Sequence, residues 1–249
     1  MTKEVILSDE QKAVAQHILD DAGNLIVEAL AGTGKTFTCI QVIPLMRGSV
    51  AYLVFAKKNA REAQAKFAAA GIRADAGTFH SFGSKAIRAY AKNARMEGKK
   101  GNGVAGYYKA DRIFEELKVP EYLQAFVEKA ASLGMQTGFG IAGFTKIGDL
   151  DAWLALVEHY NIDDALGEDN LGVSLKGRAE CIKDGCRFAA KFIVRSTELI
   201  HEVYSFADML YMPLRLNMKL PQYDNVVVDE AQDSNMLRLE FARRMHKEG

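Results

Sequence analysis

Two glycines, a lysine and a threonine set close together can hold a phosphate. Residues 28–38, Glu-Ala-Leu-Ala-Gly-Thr-Gly-Lys-Thr-Phe-Thr, carry them as Gly32, Gly34, Lys35 and Thr36. The glycines let the backbone curl until successive N–H groups face one anion. A helix starting at Lys35 would add its positive end. Lys35 can reach the β- and γ-phosphates, and the Thr36 hydroxyl can ligate Mg²⁺. A chance glycine-rich turn is the plain alternative, but the apolar run before the motif and the helical pattern after it are the context a phosphate loop needs.

A phosphate loop requires carboxylates opposite it, and residues 223–235, Tyr-Asp-Asn-Val-Val-Val-Asp-Glu-Ala-Gln-Asp-Ser-Asn, offer them. Val226-Val-Val reads as a buried strand with Asp229 at its carboxyl end, the edge where open α/β sheets bind ligands. Asp229 can hold Mg²⁺ through water, and Glu230 is placed to take a proton from an attacking water. An acidic surface turn would not account for three valines leading straight into two acids.

Positioning these groups calls for an α/β fold. Continuous apolar runs at 25–29, 51–56, 74–78 and 226–229 predict buried parallel strands. Helical patterns at 36–46 and 60–70 fall between the first three, and Gly71 is the expected stop of the second. Strands alternating with helices imply right-handed crossovers. From 78 to 226 strand signal nearly vanishes. Four stretches there, 111–119, 121–133, 150–160 and 187–210, read as amphipathic helices, with glycine-rich loops at 97–106 and 134–144. The fourth strand thus returns only after a helical insertion.

Composition sets the remaining limits. The chain has 249 residues, 49% hydrophobic and 26% charged, as an ordinary globular protein of one large or two smaller domains does. No apolar run approaches the ~18 residues of a membrane span, and Met-Thr-Lys-Glu is no signal-peptide core. Cys39, Cys181 and Cys186 are an odd, sparse set, which points to a reducing compartment and packing thiols rather than a zinc site. Net charge is zero but uneven. Residues 85–112 hold eight Lys/Arg against two acids, and 149–169 hold seven acids with no Lys or Arg. Such blocks are either solvated helix faces or the sign of an anion-facing side.

Asp229-Glu230-Ala231-Gln232-Asp233 resembles the DExQD box of UvrD/Rep-like superfamily 1 DNA helicases, and other segments match in the family's order. Residues 7–18 resemble the adenine-reading motif, with Gln11 as reader, although Ser8-Asp-Glu-Gln11 is also a capping box. Residues 54–67 resemble the segment after the second strand, and Gly77-Thr78-Phe79-His80-Ser81 the next DNA-contacting segment. Residues 205–213 resemble the helix leading to the DExQD strand. The match covers about 1–90 and 200–249; between them only the helical character agrees.

The resemblance implies a RecA-like P-loop NTPase fold, with an ATP-binding domain of 1–90 and 200–249 and a helical insertion subdomain of 91–199. ATP and Mg²⁺ would be held by Gln11, Ala31, Gly32, Thr33, Gly34, Lys35, Thr36, Phe37 and Asp229, with Thr36 and Asp229 on the metal. Lys35, Glu230 and Gln232 would serve hydrolysis, Gln232 linking the γ-phosphate to DNA. Single-stranded DNA would meet Phe55, Lys57, Lys58, Asn59, Thr78, Phe79 and His80, with the basic 85–112 block extending the surface. Phe55 could instead be core, and the lysines merely solvated. The machine implied is a translocase moving 3′ to 5′ inside the cell, by family analogy only.

Departures are visible too. Ala56-Lys57 stands where the family has Thr-Asn, and Phe37 where an arginine often packs on adenine. The family's next motif, GDxxQ, is not reached by Gly249. The second RecA-like domain that carries the arginine fingers is therefore an expected partner, and the chain alone is expected to hydrolyse ATP poorly. Another P-loop ATPase of the AAA type, a P-loop kinase, or a non-catalytic DNA- or partner-binding helicase fragment are the rival readings.

Overall fold

A computed structural model of the chain describes residues 7–30, 32–98, 108–167 and 176–247. In chain order the elements are α1 (Asp9–Leu19), α2 (Lys35–Val42), β1 (Val50–Val54), α3 (Lys57–Ala69), β2 (Asp75–Thr78), α4 (Phe79–Tyr90), β3 (Arg95–Met96), α5 (Lys109–Leu117), α6 (Glu121–Gln136), α7 (Leu150–His159), α8 (Arg178–Glu198), β4 (Val203–Tyr204), α9 (Asp208–Arg215), β5 (Asn225–Val228) and α10 (Met236–Met245). They divide into two units. One draws on Met1–Phe79, Pro221–Asp233 and Ala242–Gly249, the other on His80–Leu220 and Ser234–Phe241.

The first unit is built on β1, which is apolar and buried at every position, as a strand covered on both faces must be. It pairs in parallel with β2 on one side and β5 on the other. Ile43, Tyr52, Val54 and the α3 residues Ala60, Ala63 and Phe67 form one core cluster. Those α3 positions recur every three to four residues, the spacing of a single helix face. Asp224, just before β5, accepts hydrogen bonds from the Ser49 amide and hydroxyl, both at 2.7 Å, and from Lys247 at 2.6 Å. The Lys247 ammonium, with Ser49 behind it, holds the Asp224 carboxyl well below the usual carboxylate range. These bonds tie the start of β5 to the start of β1.

The expected strand at 25–29 is not formed. No strand is assigned there, and Ile26 and Leu30 are 87% and 80% exposed. An apolar run becomes a strand only where a neighbour supplies its backbone partners, and β5, paired with β1, ends the sheet.

In the second unit α6 and α8 bury their apolar faces, including Leu123, Phe126, Val127 and Ala130 on one and Cys181, Cys186, Ala189 and Ile193 on the other. Gly185 allows close approach, because a Cβ there would lie 2.4 Å from the Phe126 ring. Cys181 and Cys186 are buried thiols without a disulfide, and burial pushes Cys186 up to about 12.

The single helix expected over 187–210 is interrupted. α8 ends at Glu198, Leu199–His201 tightens into a 3-10 turn, and β4 pairs in parallel with β3 before α9 begins. The cause is Asp208, fully buried at the start of α9. Its carboxylate accepts from Lys109 Nζ at 2.7 Å, the Ser205 amide at 2.7 Å and the Ser196 hydroxyl at 3.3 Å. Periodicity records the apolar face but not a buried charge that must be met from several elements.

Lys109 and Asp208 are 3% and 0% exposed. Asp208→Ala strands a buried ammonium, so it should cost about 3–5 kcal/mol in urea unfolding, whereas replacing both partners with apolar residues of similar volume should recover most of that loss. An Asp208→Ala chain as stable as wild type would show that the pair does not hold the unit together.

Candidate functional site

Gly34 caps α2 with φ +91° and no side-chain cap, so the first amides of the helix have no side chain closing them off. Gly32 also has positive φ, +80°, and nothing lies within 4 Å of where its Cβ would stand. The result is an open, left-handed curl leading into a helix N-terminus, the form that accepts a phosphate. Thr33 closes the turn, its hydroxyl donating to the Leu30 carbonyl at 2.7 Å. Ala31 lies outside the described residues. Thr36 follows Lys35 in the first turn of α2, and among the described residues its hydroxyl has no protein partner.

Facing the loop, β5 delivers Asp229 and Glu230. Lys35 Nζ donates to Glu230 Oε2 at 2.8 Å across 195 positions of sequence, and Gln232 Nε2 donates to the same oxygen at 2.6 Å. The Lys35 bond, followed by that of Gln232, holds the Glu230 carboxyl below its ordinary value, and the Glu230 bond holds Lys35 above its own. Glu230 has φ +52°, a conformation that costs a non-glycine residue about 1–3 kcal/mol and collects at functional sites. Tyr52, from β1, donates its phenol to Asp229 Oδ2 at 2.8 Å. Burial pushes the phenol far above its ordinary value, with Cys39 and Asp229 adding to the rise, so it stays a donor.

Gln11 is bonded on two sides. Its backbone and side chain complete the capping box with Ser8, and its Nε2 donates to Thr38 on α2 at 3.0 Å. The amide therefore stands beside the loop, 3.8 Å from where a Gly34 Cβ would be. Phe37 is 41% exposed. Among the described residues no three His, Cys, Asp or Glu converge to hold a metal. Thr36 and Asp229 fit a magnesium that brings phosphate and water ligands of its own, as that ion usually does.

The residues expected to face DNA sort unevenly. Lys57, Lys58 and Asn59 are exposed in the first turn of α3, which holds no acid. Two lysines at the positive end of a helix are each unfavourable by roughly 0.3–1 kcal/mol, and the Lys58–Glu62 pair at 3.8 Å is too exposed to offset that. An anion from outside would remove the conflict. Phe55 is half-buried with its ring centroid 5.9 Å from that of Phe79. Phe79 itself is 1% exposed, so its ring supports Phe55 and is not a contact surface. Thr78 ends β2.

Over residues 7–249 the chain matches the family model of the UvrD/REP helicase N-terminal domain. The chain belongs to that family. No curated protein and no solved structure matches it significantly. A UvrD/REP helicase N-terminal domain is the nucleotide-binding part of an ATP-dependent helicase, and the α/β, RecA-like architecture with its parallel sheet agrees with that assignment. Among the described residues no helix is long and apolar enough to cross a membrane.

Two residues of this helicase domain are not evident from sequence. Tyr52 has the pattern of core and proves to hold Asp229. Phe206, 60% exposed, stacks on His80 at 3.8 Å and 14°. Its exposure could not be read from an apolar pattern, although the polar residues close by in Ser205-Phe206-Ala207-Asp208 were a signal. His80 is pushed down to about 4 by burial first and by Arg238 second, so at neutral pH it offers a neutral ring.

Because the folded pKa of His80 lies below its unfolded value, the unfolded chain binds the extra proton. The neutral ring costs nothing above about pH 6.5, and stability is lost as pH falls from there through 4. An NMR titration of the His80 ring should therefore give a midpoint near 4, rising toward 6.5 in Phe206→Ala; a wild-type midpoint near 6.5 contradicts the packing described.

Proposed function

We propose that this domain binds Mg·ATP between the phosphate loop and the DExQD box and uses its hydrolysis to move along single-stranded DNA. One observation carries the reading. The phosphate-loop lysine and the DExQD glutamate, far apart in sequence, meet at 2.8 Å beside an open helix N-terminus. Lys35 exchanges Glu230 for the β- and γ-phosphates, which frees Glu230 to accept a proton from water. Thr36 and Asp229 would hold the magnesium, which when bound would supply charge to neutralise the phosphate oxygens. Gln11 and Phe37 contact the base. Gln232, which shares the Glu230 carboxylate, reports occupancy to the DNA-binding residues.

The ATP-binding domain comprises 1–90 and 200–249, with 91–199 as a helical insertion, so by this reading it takes in 80–90, 200–220 and 234–241 of the second compact unit as well as the whole of the first. By family analogy a second RecA-like domain supplies arginine fingers that contribute roughly 10³–10⁵ in rate, so the N-terminal domain assayed on its own binds ATP and hydrolyses it poorly. Direction, 3′ to 5′, follows the family. An intracellular setting follows from the substrates. On the first unit Lys57 and Lys58 track phosphate while Phe55 stacks on a base. On the second the His80–Phe206 pair offers another aromatic face. Of the basic 85–112 block, 99–107 lies outside the described residues.

Lys35→Ala should abolish binding of a fluorescent ATP analogue while leaving the chain folded, as checked by circular dichroism and a cooperative melt, since a partly exposed ammonium leaves no void. Glu230→Gln should keep that binding and remove residual phosphate release, because an amide accepts no proton. Wild-type hydrolysis by Glu230→Gln would take Glu230 out of the base role.

On DNA the two kinds of interaction should separate by salt. Lys57→Ala with Lys58→Ala should flatten the plot of log affinity for oligothymidylate against log salt by about 0.7 for each phosphate that is no longer neutralised. Phe206→Ala or Phe55→Ala should cost about 1–3 kcal/mol of affinity at every salt concentration. A double-lysine variant that binds like wild type throughout removes the α3 N-terminus from the DNA site.

A further inference from the structure

We propose that Tyr52 is a positioning residue for Asp229, fixing the carboxylate that organises the metal; this rests on the Mg·ATP reading above. Asp229 follows the last residue of β5 and is anchored to β1 twice. Its amide donates to the Leu53 carbonyl at 2.9 Å, and its Oδ2 accepts the Tyr52 phenol at 2.8 Å. Main chain and side chain are thus held by adjacent residues of a strand that is buried throughout. The phenol cannot swing away. Tyr52 is 0% exposed and its ring meets Phe67 edge-on at 5.3 Å and 89°.

The hydroxyl is the informative atom. Phenylalanine would fill the same space in the cluster of Val54, Ala60, Ala63 and Phe67, and a buried phenol requires an acceptor that phenylalanine does not. Here that acceptor is the carboxylate facing the phosphate loop. The donor takes Oδ2, and no bond among the described residues engages Oδ1. One oxygen is held and the other is left for the metal's water. Partners of this kind orient metal-binding carboxylates, and losing one typically weakens metal binding about 10–100-fold. A donor mounted on β1 makes that orientation a property of the sheet, present before nucleotide arrives.

The test compares the full chain as wild type, Tyr52→Phe, Asp229→Asn and the double variant. Affinity for a fluorescent ATP analogue is measured in EDTA and across a Mg²⁺ series, beside melting curves. Tyr52→Phe should bind the analogue in EDTA as wild type does, yet need about tenfold more Mg²⁺ for half of the metal-dependent gain. In the Asp229→Asn background the same change should add no further shift, because Tyr52 acts through that carboxylate. An unchanged or lower Mg²⁺ midpoint in Tyr52→Phe overturns the proposal, as does an equal shift in both backgrounds. Loss of binding in EDTA together with a lowered melting temperature also overturns it, since the phenol would then serve the fold alone. A wild-type chain that takes up no analogue refutes the Mg·ATP reading itself.

Discussion

The register between β1 and β5 is the constraint on which the nucleotide site depends. Val50 stands opposite Asn225 and Leu53 opposite Val228, although the two strands lie far apart in the chain. Asp224 locks one end of the pairing through Ser49 and Lys247, and the Asp229 amide locks the other through the Leu53 carbonyl. A slip of one residue would turn every side chain of β5 to the opposite face. Asp229 would lose Tyr52, and Glu230 would leave Lys35. Parallel pairing brings both strands out at the same edge, so the carboxylates emerge where α2 begins.

Electrostatics then explain the unusual backbone at Glu230. The three valines expected to form a buried strand are only half-buried in β5, and the two adjacent acids that follow them repel each other and need compensation. The structure provides it with one phenol and one ammonium, and the second acid turns through a left-handed residue to reach the ammonium. The strain is offset by a charge-assisted hydrogen bond from Lys35. An anion from outside can compete for Lys35 because the pair is partly exposed, at 26% and 40% of the two side chains. The lysines opening α3 hold the same kind of uncompensated charge, set against their own helix dipole.

Sequence alone located the residues of the candidate site. Gly32, Gly34, Lys35 and Thr36 are set by local backbone geometry, and Asp229 and Glu230 by their place at a strand end; spacing encodes both. The capping box of Ser8 and Gln11 is equally local, as is the stop of α3 at Gly71, which has φ +69°. Tertiary structure decided what depends on distant partners. The apolar run at 25–29 carries the pattern of a buried strand and stays exposed, because hydrogen-bonded pairing belongs to the neighbour as much as to the run. Residues 187–210 keep a helical pattern through a break that a buried Asp208 imposes by drawing Lys109, Ser196 and Ser205 together. Phe79 went into the core while Phe206 stayed out, though each directly follows a hydroxyl residue, Thr78 and Ser205. Tyr52 shows the same limit from inside the sheet. Its ring was legible as core from the apolar run of the strand, but its hydroxyl acquired a role only when folding set Asp229 at hydrogen-bonding distance, and hydrogen bonds across 177 positions leave no periodic trace in sequence.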